Sequence, residues 1–119
     1  METPLDNQQV IHITARSFTP EDEDRQNEFY INWFYKTYIP LLGNVTGLRA
    51  ADRYQIVKEN PKYPKYIQIM RFDNLKSFQE YDKSEELNAV RRSMDANFPG
   101  SDYAWYVQYQ RRNSWRKQP

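Results

Sequence analysis

Two kinds of apolar spacing alternate along this 119-residue chain, and their order restricts the fold more than any other feature of the sequence. Apolar residues recur at every second position in some segments, as in a half-buried strand, and at every third or fourth position in others, as in an amphipathic helix. The segment from Val10 to Phe18 is of the first kind. Its two faces carry Ile11, Ile13 and Ala15 on one side and Val10, His12, Thr14 and Arg16 on the other. We expect the more apolar face to meet the helices.

A helix is predicted to follow, from Thr19 to about Ile39. Thr19 supplies a capping hydroxyl, Pro20 suits the first helical position, and acidic residues come next at the positive end of the helix dipole. Pro40 is expected to kink or end the helix, because it has no amide hydrogen and its ring clashes with the preceding turn. One wide apolar arc of this region contains Tyr30, Ile31, Phe34, Tyr35, Tyr38, Leu41 and Leu42.

Phe29 and Trp33 project to a second side of the predicted helix. Two interpretations stay open for this pair. The rings contact a partner subunit or a ligand, or they pack under a loop of their own domain.

Two more strand patterns follow the glycines at Gly43 and Gly47, which mark a turn. The first pattern runs from Leu48 to Lys58, with Leu48, Ala50, Tyr54 and Ile56 on one face and Arg49, Ala51, Arg53 and Gln55 on the other. The segment from Glu59 to Pro64 contains two prolines and is predicted to be a loop. Tyr66 to Phe72 forms the next strand, which we expect to be antiparallel to the one before it.

The last part of the chain repeats the helix and strand patterns. Asp73 or Asn74 caps a helical region that is expected to break near Asp82 to Ser84. A buried stripe then recurs at helical spacing, and it consists of Leu87, Val90, Met94 and Phe98. Pro99 and Gly100 end this helix, and Tyr103 to Gln110 is predicted as the final strand.

The order β-α-β-β-α-β predicts an α+β fold of the ferredoxin-like kind, with a four-stranded antiparallel sheet and two helices on one face. We divide the chain into an N-terminal arm (1–9), the ferredoxin-like domain (10–110) and a basic C-terminal tail (111–119). One face of the sheet remains uncovered within a single chain. A homodimer is therefore predicted, because a second copy would cover that face.

Composition restricts the classes of partner. Seventeen basic and sixteen acidic residues leave a net charge of +1, which gives no long-range attraction toward nucleic acids or acidic membranes. The chain has no cysteine, which excludes disulfides and thiolate chemistry and suits a reducing, cytoplasmic location. Since no apolar run approaches about 20 residues, no transmembrane helix is expected.

Three segments carry a resemblance to a known superfamily: Tyr38-Ile39-Pro40-Leu41-Leu42, Gly47-Leu48, and Met70 to Leu75. The chain resembles the dimeric α+β barrel superfamily, which includes EthD-like proteins, antibiotic-biosynthesis-type monooxygenases and muconolactone-isomerase-like enzymes. The resemblance implies that two sheets pack face to face and that a small aromatic or lactone-like molecule binds between sheet and helices. It also implies chemistry without a metal or organic cofactor. EthD-like members have a His two places before the proline of the first helix, where this chain has Tyr38.

Two residues are the candidates for catalysis. His12 is the single histidine, and its ordinary pKa near neutrality suits a general acid or base. The alternative for His12 is a contact to a ligand or an interface without catalysis. Tyr38 is a candidate donor to a ligand carbonyl or enolate, or else a core tyrosine whose hydroxyl is satisfied internally.

The candidates for ligand binding are aromatic, cationic or amide side chains. The aromatic set, of which two or three members are expected to face a ligand, is Trp33, Phe34, Tyr54, Tyr66, Trp105 and Tyr106. Arg16 and Arg53 offer paired donors to an anionic group, whereas Arg49 is better explained by a surface ion pair. Gln68 and Gln108 lie amid apolar neighbours and either contact a ligand or form hydrogen bonds across a dimer.

Two charged segments are explained without a site. The acidic run from Glu21 to Asp24 resembles a metal cluster, but it has no histidine nearby and suits a solvated helix start. The basic tail from Arg111 to Lys117 contains Trp115, which could stack on a nucleic-acid base. The interpretation we favour is a solvated tail whose Trp packs on its own domain or on a partner.

The sequence supports one leading hypothesis and two rivals. The leading hypothesis is a homodimer that binds a small hydrophobic or aromatic molecule and acts on it as a cofactor-independent isomerase, cyclase or monooxygenase. The first rival is a non-catalytic dimeric module for ligand binding or assembly. The second rival is a haem-binding relative, for which only His12 could serve as the axial ligand.

Overall fold

The computed structural model describes residues 8–17, 28, 30–97 and 102–119, and the side chains of residues 16, 17 and 102–105 lie outside this description. The strands are β1 (Val10–Ser17), β2 (Leu48–Gln55), β3 (Tyr66–Phe72) and β4 (Asp102–Gln110). The helices are α1 (30–42), α2 (Leu75–Asp82) and α3 (Glu85–Asn97). The helix start predicted from Thr19, together with Phe29 and the helix end predicted at 98–100, lies outside the described residues.

The four strands form one antiparallel sheet in the order β2-β3-β1-β4. This order and the two helical segments between the strands confirm the predicted ferredoxin-like α+β fold. The core lies between the sheet and the helices, where Phe72 is 0% exposed. Val10, Met70 and side chains from all three helices surround it.

The face of β1 that meets the helices is the opposite of the one predicted. Val10 pairs with Phe72 and His12 pairs with Met70, and directly paired residues point to the same side of a sheet. Phe72 and Met70 are buried in the core, so Val10 and His12 lie under the helices. The residues turned to the open side are Ile11, Ile13 and Ala15. The prediction failed because the aromatic side chains of α1 pack over the face of β1 that carries both polar and apolar residues.

A β-bulge in β2 changes the predicted alternation of that strand. The register shifts between Leu48 and Ala50, so that Leu48 opposes Phe72 while Ala51 opposes Met70. Leu48 and Ala51 both pack against the core, although the sequence placed them on different faces. Tyr54 lies on the open face and is 44% exposed. The strand ends at Gln55 and not at the predicted Lys58.

Helix α1 continues past its proline by means of a π-helical turn. Residues Phe34–Tyr38 are π-helical, and the amide of Ile39 donates to the carbonyl of Phe34 five residues earlier. An α-helical turn, Ile39–Leu42, follows and contains Pro40. A wider turn before a proline relieves the clash between its ring and the preceding carbonyls. The helix therefore changes from α-helical to π-helical hydrogen bonding at this point and does not end.

The inner side of α1 differs from the predicted arc in two respects. Trp33 is buried with the arc, and its indole Nε1 donates to Ser93 Oγ on α3 at 2.8 Å. Ile31 and Tyr35, predicted within the arc, are 46% and 70% exposed. The buried side chains of this helix are Tyr30, Trp33, Phe34, Tyr38 and Leu42.

The predicted Asn74 cap of α2 is confirmed, and Ser84, which the sequence did not single out as a cap, begins α3. Asn74 Oδ1 accepts a hydrogen bond from the amide of Ser77 at 2.9 Å and begins α2. Ser84 Oγ accepts from the amide of Leu87 at 3.1 Å, after the predicted break. Leu87, Val90 and Met94 are buried, as their spacing predicts.

Candidate functional site

A cavity of about 50 Å³ lies between the helix-facing side of the sheet and the three helices. Alternate residues of β1 and β3 point into it because paired positions in an antiparallel sheet share a face. The sheet contributes His12, Thr14, Arg53, Tyr66, Gln68 and Met70, and the helices contribute Tyr30, Tyr38, Tyr81, Leu87, Val90 and Met94. This volume holds a water molecule or a small chemical group, whereas sites for drug-sized ligands measure about 300–1,000 Å³.

A chain of buried hydrogen bonds runs along one wall of the cavity. The Tyr30 hydroxyl donates to Gln68 Oε1 at 2.6 Å, and Gln68 Nε2 donates to the hydroxyl oxygen of Tyr38. The Tyr38 hydroxyl in turn donates to Met70 Sδ at 3.4 Å. Gln68 is only 7% exposed and is the one buried polar side chain in the described part of the chain. All three donors point in the same direction, toward Met70.

The end of this chain is its weakest hydrogen bond. A thioether sulfur is a weak acceptor, so the Tyr38 hydroxyl is matched to a poor partner. The Gln68 amide that donates to the same hydroxyl oxygen makes the Tyr38 proton a better donor, because consecutive hydrogen bonds polarise one another. An oxygen atom near Met70 would therefore be a stronger acceptor for Tyr38 than the sulfur is.

His12 stands beside Met70, its partner across β1 and β3. Its Nδ1 lies 2.9 Å from the side-chain amide nitrogen of Gln108 on β4, and its ring centroid is 5.2 Å from that of Phe78 on α2. Burial lowers the pKa of His12 below its ordinary value of 6.5, the carboxylate of Asp82 raises it, and Arg91 lowers it further. The imidazole is thus mainly uncharged at neutral pH.

Arg53 lies between two tyrosine rings at the edge of the cavity. Its guanidinium carbon is 4.3 Å from the ring centroid of Tyr30 and 4.3 Å from that of Tyr66. Burial lowers the pKa of Arg53, but an arginine side chain remains a cation at any physiological pH. The two aromatic faces stabilise this cation through cation–π contacts.

A larger groove of about 650 Å³ adjoins the cavity outside Arg53 and Tyr66, which line both spaces. It runs between α1 and the edge strand β2. The exposed apolar side chains Ile31, Tyr35 and Ile39 form its helical side. A molecule too large for the cavity could extend past Arg53 into this groove.

Solved structures of several proteins are similar to this chain. HapK from Hahella chejuensis superposes with a TM-score of 0.66 over 92% of this chain and 99% of its own, at 7% identity. An EthD family protein from Bacillus halodurans has a TM-score of 0.55, with coverages of 90% and 99% and 19% identity. A dimeric ferredoxin-like protein of unknown function from Thermobifida fusca has a TM-score of 0.60, with coverages of 92% and 96% and 13% identity. The chain shares the ferredoxin-like fold that the Thermobifida fusca protein is described as having.

No protein-family profile and no curated protein sequence matches the chain. At identities of 7 to 19%, the likeness to these barrel structures is one of fold. The residues of the cavity therefore have to be interpreted from their own geometry.

The structure brings five of the sequence-predicted site residues to one place. His12, Tyr38, Arg53, Tyr66 and Gln68 all line the cavity. Gln108 does not line the cavity but contacts His12 Nδ1 through its side-chain amide nitrogen. Tyr106 is exposed beside it, with its ring centroid 6.4 Å from that of His12.

Other predicted site residues lie elsewhere. Trp33 is packed behind Tyr38 with a ring-centroid distance of 5.2 Å, and Phe34 lines the outer groove. Tyr54 points to the open face of the sheet, because the β2 register puts it opposite Ile67, and it also borders the outer groove. The side chains of Arg16 and Trp105 lie outside the described residues. Arg49 forms the expected surface ion pair, with Asp73 at 2.7 Å.

Tyr30 is the main member of the site that the sequence did not single out. Its hydroxyl begins the hydrogen-bond chain, and its ring covers Arg53. The spacing of four residues between Tyr30, Phe34 and Tyr38 was the available signal, since such residues share one side of a helix. The same spacing could not show which polar group the hydroxyl would meet.

The described residues contain no cluster of three or more His, Asp or Glu side chains placed to hold a metal ion. No helix in that part of the chain is long and apolar enough to cross a membrane.

Proposed function

We propose that this protein is a homodimeric α+β barrel that binds a small hydrophobic or aromatic molecule and stabilises negative charge on one of its oxygen atoms. The observation that carries the proposal is the placement of two uncharged donor side chains, Tyr38 and His12, beside Met70 in one cavity. Donors held in a site that excludes water stabilise an oxyanion more than they would in solution.

The ligand class follows from the two adjoining spaces. The cavity accepts an oxygen-bearing end, and the groove of about 650 Å³ has the size of a small-molecule site. The lining of the groove combines exposed apolar side chains with the Arg53 cation. This combination suits an apolar skeleton with a carbonyl or phenolic oxygen.

Stabilisation of an enolate or phenolate serves more than one reaction. Isomerisation and cyclisation next to a carbonyl group become easier when the enolate is stabilised. A phenolate is also electron-rich, which a cofactor-independent monooxygenase requires of its substrate. The proposed chemistry uses side chains of the protein only.

The homodimer is part of the proposal because the open face of the sheet is apolar. Ile11, Ile13, Ile67, Ile69 and Val107 lie on this face and are partly exposed in the single chain. A continuous apolar surface of this kind marks an interaction site. The protein from Thermobifida fusca with the same fold is described as dimeric, which supports the same arrangement here.

The test is binding of 4-nitrophenol, whose phenolate form is detected by its visible absorbance. At neutral pH we expect saturable binding that favours the phenolate. A hydrogen bond to a charged group contributes about 1.5–3 kcal/mol, so Tyr38→Phe should weaken binding by roughly 10- to 100-fold. Tyr63→Phe is the matched control, because Tyr63 is 65% exposed and lines neither the cavity nor the groove. Equal affinities of the two variants, or no saturable binding by the wild type, would refute the proposal.

One observation favours the non-catalytic alternative. The cavity measures about 50 Å³, and the three donors of its hydrogen-bond chain already have acceptors within the protein. A dimer formed for assembly alone would have such a filled interior. Absence of nitrophenol binding together with a stable dimer would support this alternative.

A further inference from the structure

His12 and Gln108 stand directly opposite each other on the paired strands β1 and β4. Their side chains therefore project side by side from the same face of the sheet. The Gln108 amide nitrogen is 2.9 Å from His12 Nδ1. An amide nitrogen only donates, so in this arrangement Nδ1 accepts the hydrogen bond and carries no proton.

His12 lines the cavity, and because Gln108 on β4 contacts Nδ1, its second ring nitrogen, Nε2, points away from β4. The two nitrogens of an imidazole point in nearly opposite directions, and Gln108 on β4 takes up the Nδ1 side. On the opposite side of β1 stands Met70, the cross-strand partner of His12 and the acceptor of the Tyr38 hydroxyl. Within the described part of the chain, His12 Nε2 has no hydrogen-bond partner.

From this geometry we infer that Gln108 is a positioning residue, which holds His12 in the tautomer with its proton on Nε2 and so makes His12 a hydrogen-bond donor to the ligand oxygen. The inference rests on the proposed function for the identity of the acceptor. It assigns His12 the role of a donor and excludes that of a base in this tautomer, since Nδ1 is occupied by Gln108 and Nε2 is protonated. The ligand class narrows to molecules whose oxygen arrives as an acceptor, such as a carbonyl or a phenolate.

The charges around His12 do not oppose this role. Burial lowers the pKa of His12, while Asp82 at the end of α2 raises it and Arg91 on α3 lowers it. The ring is therefore uncharged above its ordinary pKa, where one of its nitrogens must be unprotonated. Gln108 determines which nitrogen that is.

The test is a long-range ¹H–¹⁵N spectrum of the imidazole in the ligand-free protein, at a pH where the ring is neutral. Because the chain contains one histidine, both ring-nitrogen signals are assigned without ambiguity. We expect Nδ1 to have the chemical shift of an unprotonated nitrogen and Nε2 that of a protonated one. In Gln108→Leu the two shifts should move toward each other, as in an exchanging mixture.

Gln108→Glu is the decisive variant. A carboxylate only accepts, so it should draw the proton to Nδ1, interchange the two nitrogen shifts and raise the pKa of His12. Gln110→Glu is the matched control, because it adds the same charge on the same strand about 7 Å away. Its imidazole spectrum should remain that of the wild type. A protonated Nδ1 in the wild type, or wild-type shifts that match those of Gln108→Leu, would overturn the inference.

Nitrophenol titrations of the two glutamate variants separate this inference from the proposed function. If Nε2 donates to the phenolate, Gln108→Glu should bind at least about 10-fold more weakly than Gln110→Glu, which corresponds to the loss of roughly one hydrogen bond. The expected tautomer without any nitrophenol binding would contradict the proposed function but not the role of Gln108. Normal binding with a protonated Nδ1 would contradict the role of Gln108 and leave the binding site intact.

Discussion

Replacement of Gln68 by Met should lower the free energy of unfolding by about 2 kcal/mol, because the substitution preserves the size of the side chain and removes both polar atoms of the amide. Gln68 accepts a hydrogen bond from Tyr30 and donates one to Tyr38, and each buried hydrogen bond contributes about 1 kcal/mol net. Tyr30→Phe removes the hydroxyl itself and should cost only about 1 kcal/mol.

Urea denaturation at a fixed protein concentration measures these differences, since dimerisation would otherwise shift the midpoint. For a slope of about 2 kcal/mol/M, Gln68→Met should lower the midpoint by about 1 M urea. Gln55→Met is the control on β2, where the side chain is exposed, and its effect should stay within about 0.5 kcal/mol. The double variant Tyr30→Phe/Gln68→Met should be less destabilised than the sum of its parts, by about 1 kcal/mol. If Gln68→Met were no less stable than Gln55→Met, the hydrogen-bond chain would not exist as described.

Two further predictions concern His12 and the open face. Because the pKa of His12 in the folded protein lies below its ordinary value of 6.5, the unfolded chain binds the proton first. The stability contributed by the neutral ring is therefore complete above about pH 6.5 and is lost as the pH falls toward the folded pKa. Urea denaturation at about pH 7.5 and about pH 5.5 should show a larger loss for the wild type than for His12→Gln, and equal losses would contradict the burial of the ring. Ile69→Lys, on the central strand of the open face, should convert dimers into single chains in sedimentation velocity at micromolar concentration. Gln79→Lys on the exposed side of α2 should not, and a wild type that sediments as a single chain would refute the dimer.

The elements of the fold were largely predictable because their signals are local. The Tyr66 to Phe72 strand agrees with the structure at both ends, and Asn74 and Ser84 begin their helices through hydrogen bonds made within three residues. The π-helical turn before Pro40 was not predicted. The proline predicts an irregularity in the helix. Whether the helix ends or widens there depends on what the next turn packs against, and in this protein Leu42 of that turn packs in the core.

The sequence predicted which types of residue form the candidate site, but it predicted their positions in the fold only in part. Strand parity put His12 apart from Ile11 and Ile13, which is correct, but parity alone cannot show which side the helices cover. Arg53 and Tyr54 lie on opposite faces of β2, as their alternation predicts, but only the pairing with β3 shows that Arg53 is on the helix-facing side. Tyr30 acquires its role only through Gln68, which lies 38 positions away along the chain.

Local signals in the sequence specify the order of strands and helices, the ferredoxin-like topology and the concentration of tyrosine in the first helix, because spacing, capping residues and prolines act over a few neighbouring positions. Packing between distant segments selects the face of the sheet that the helices cover, and it joins Tyr30, Gln68, Tyr38 and Met70 into one chain of hydrogen bonds. Both faces of this sheet carry enough apolar surface to be buried, so local pattern leaves the choice open. The large aromatic side chains of α1 make the choice, since they fill the space above the face that contains His12.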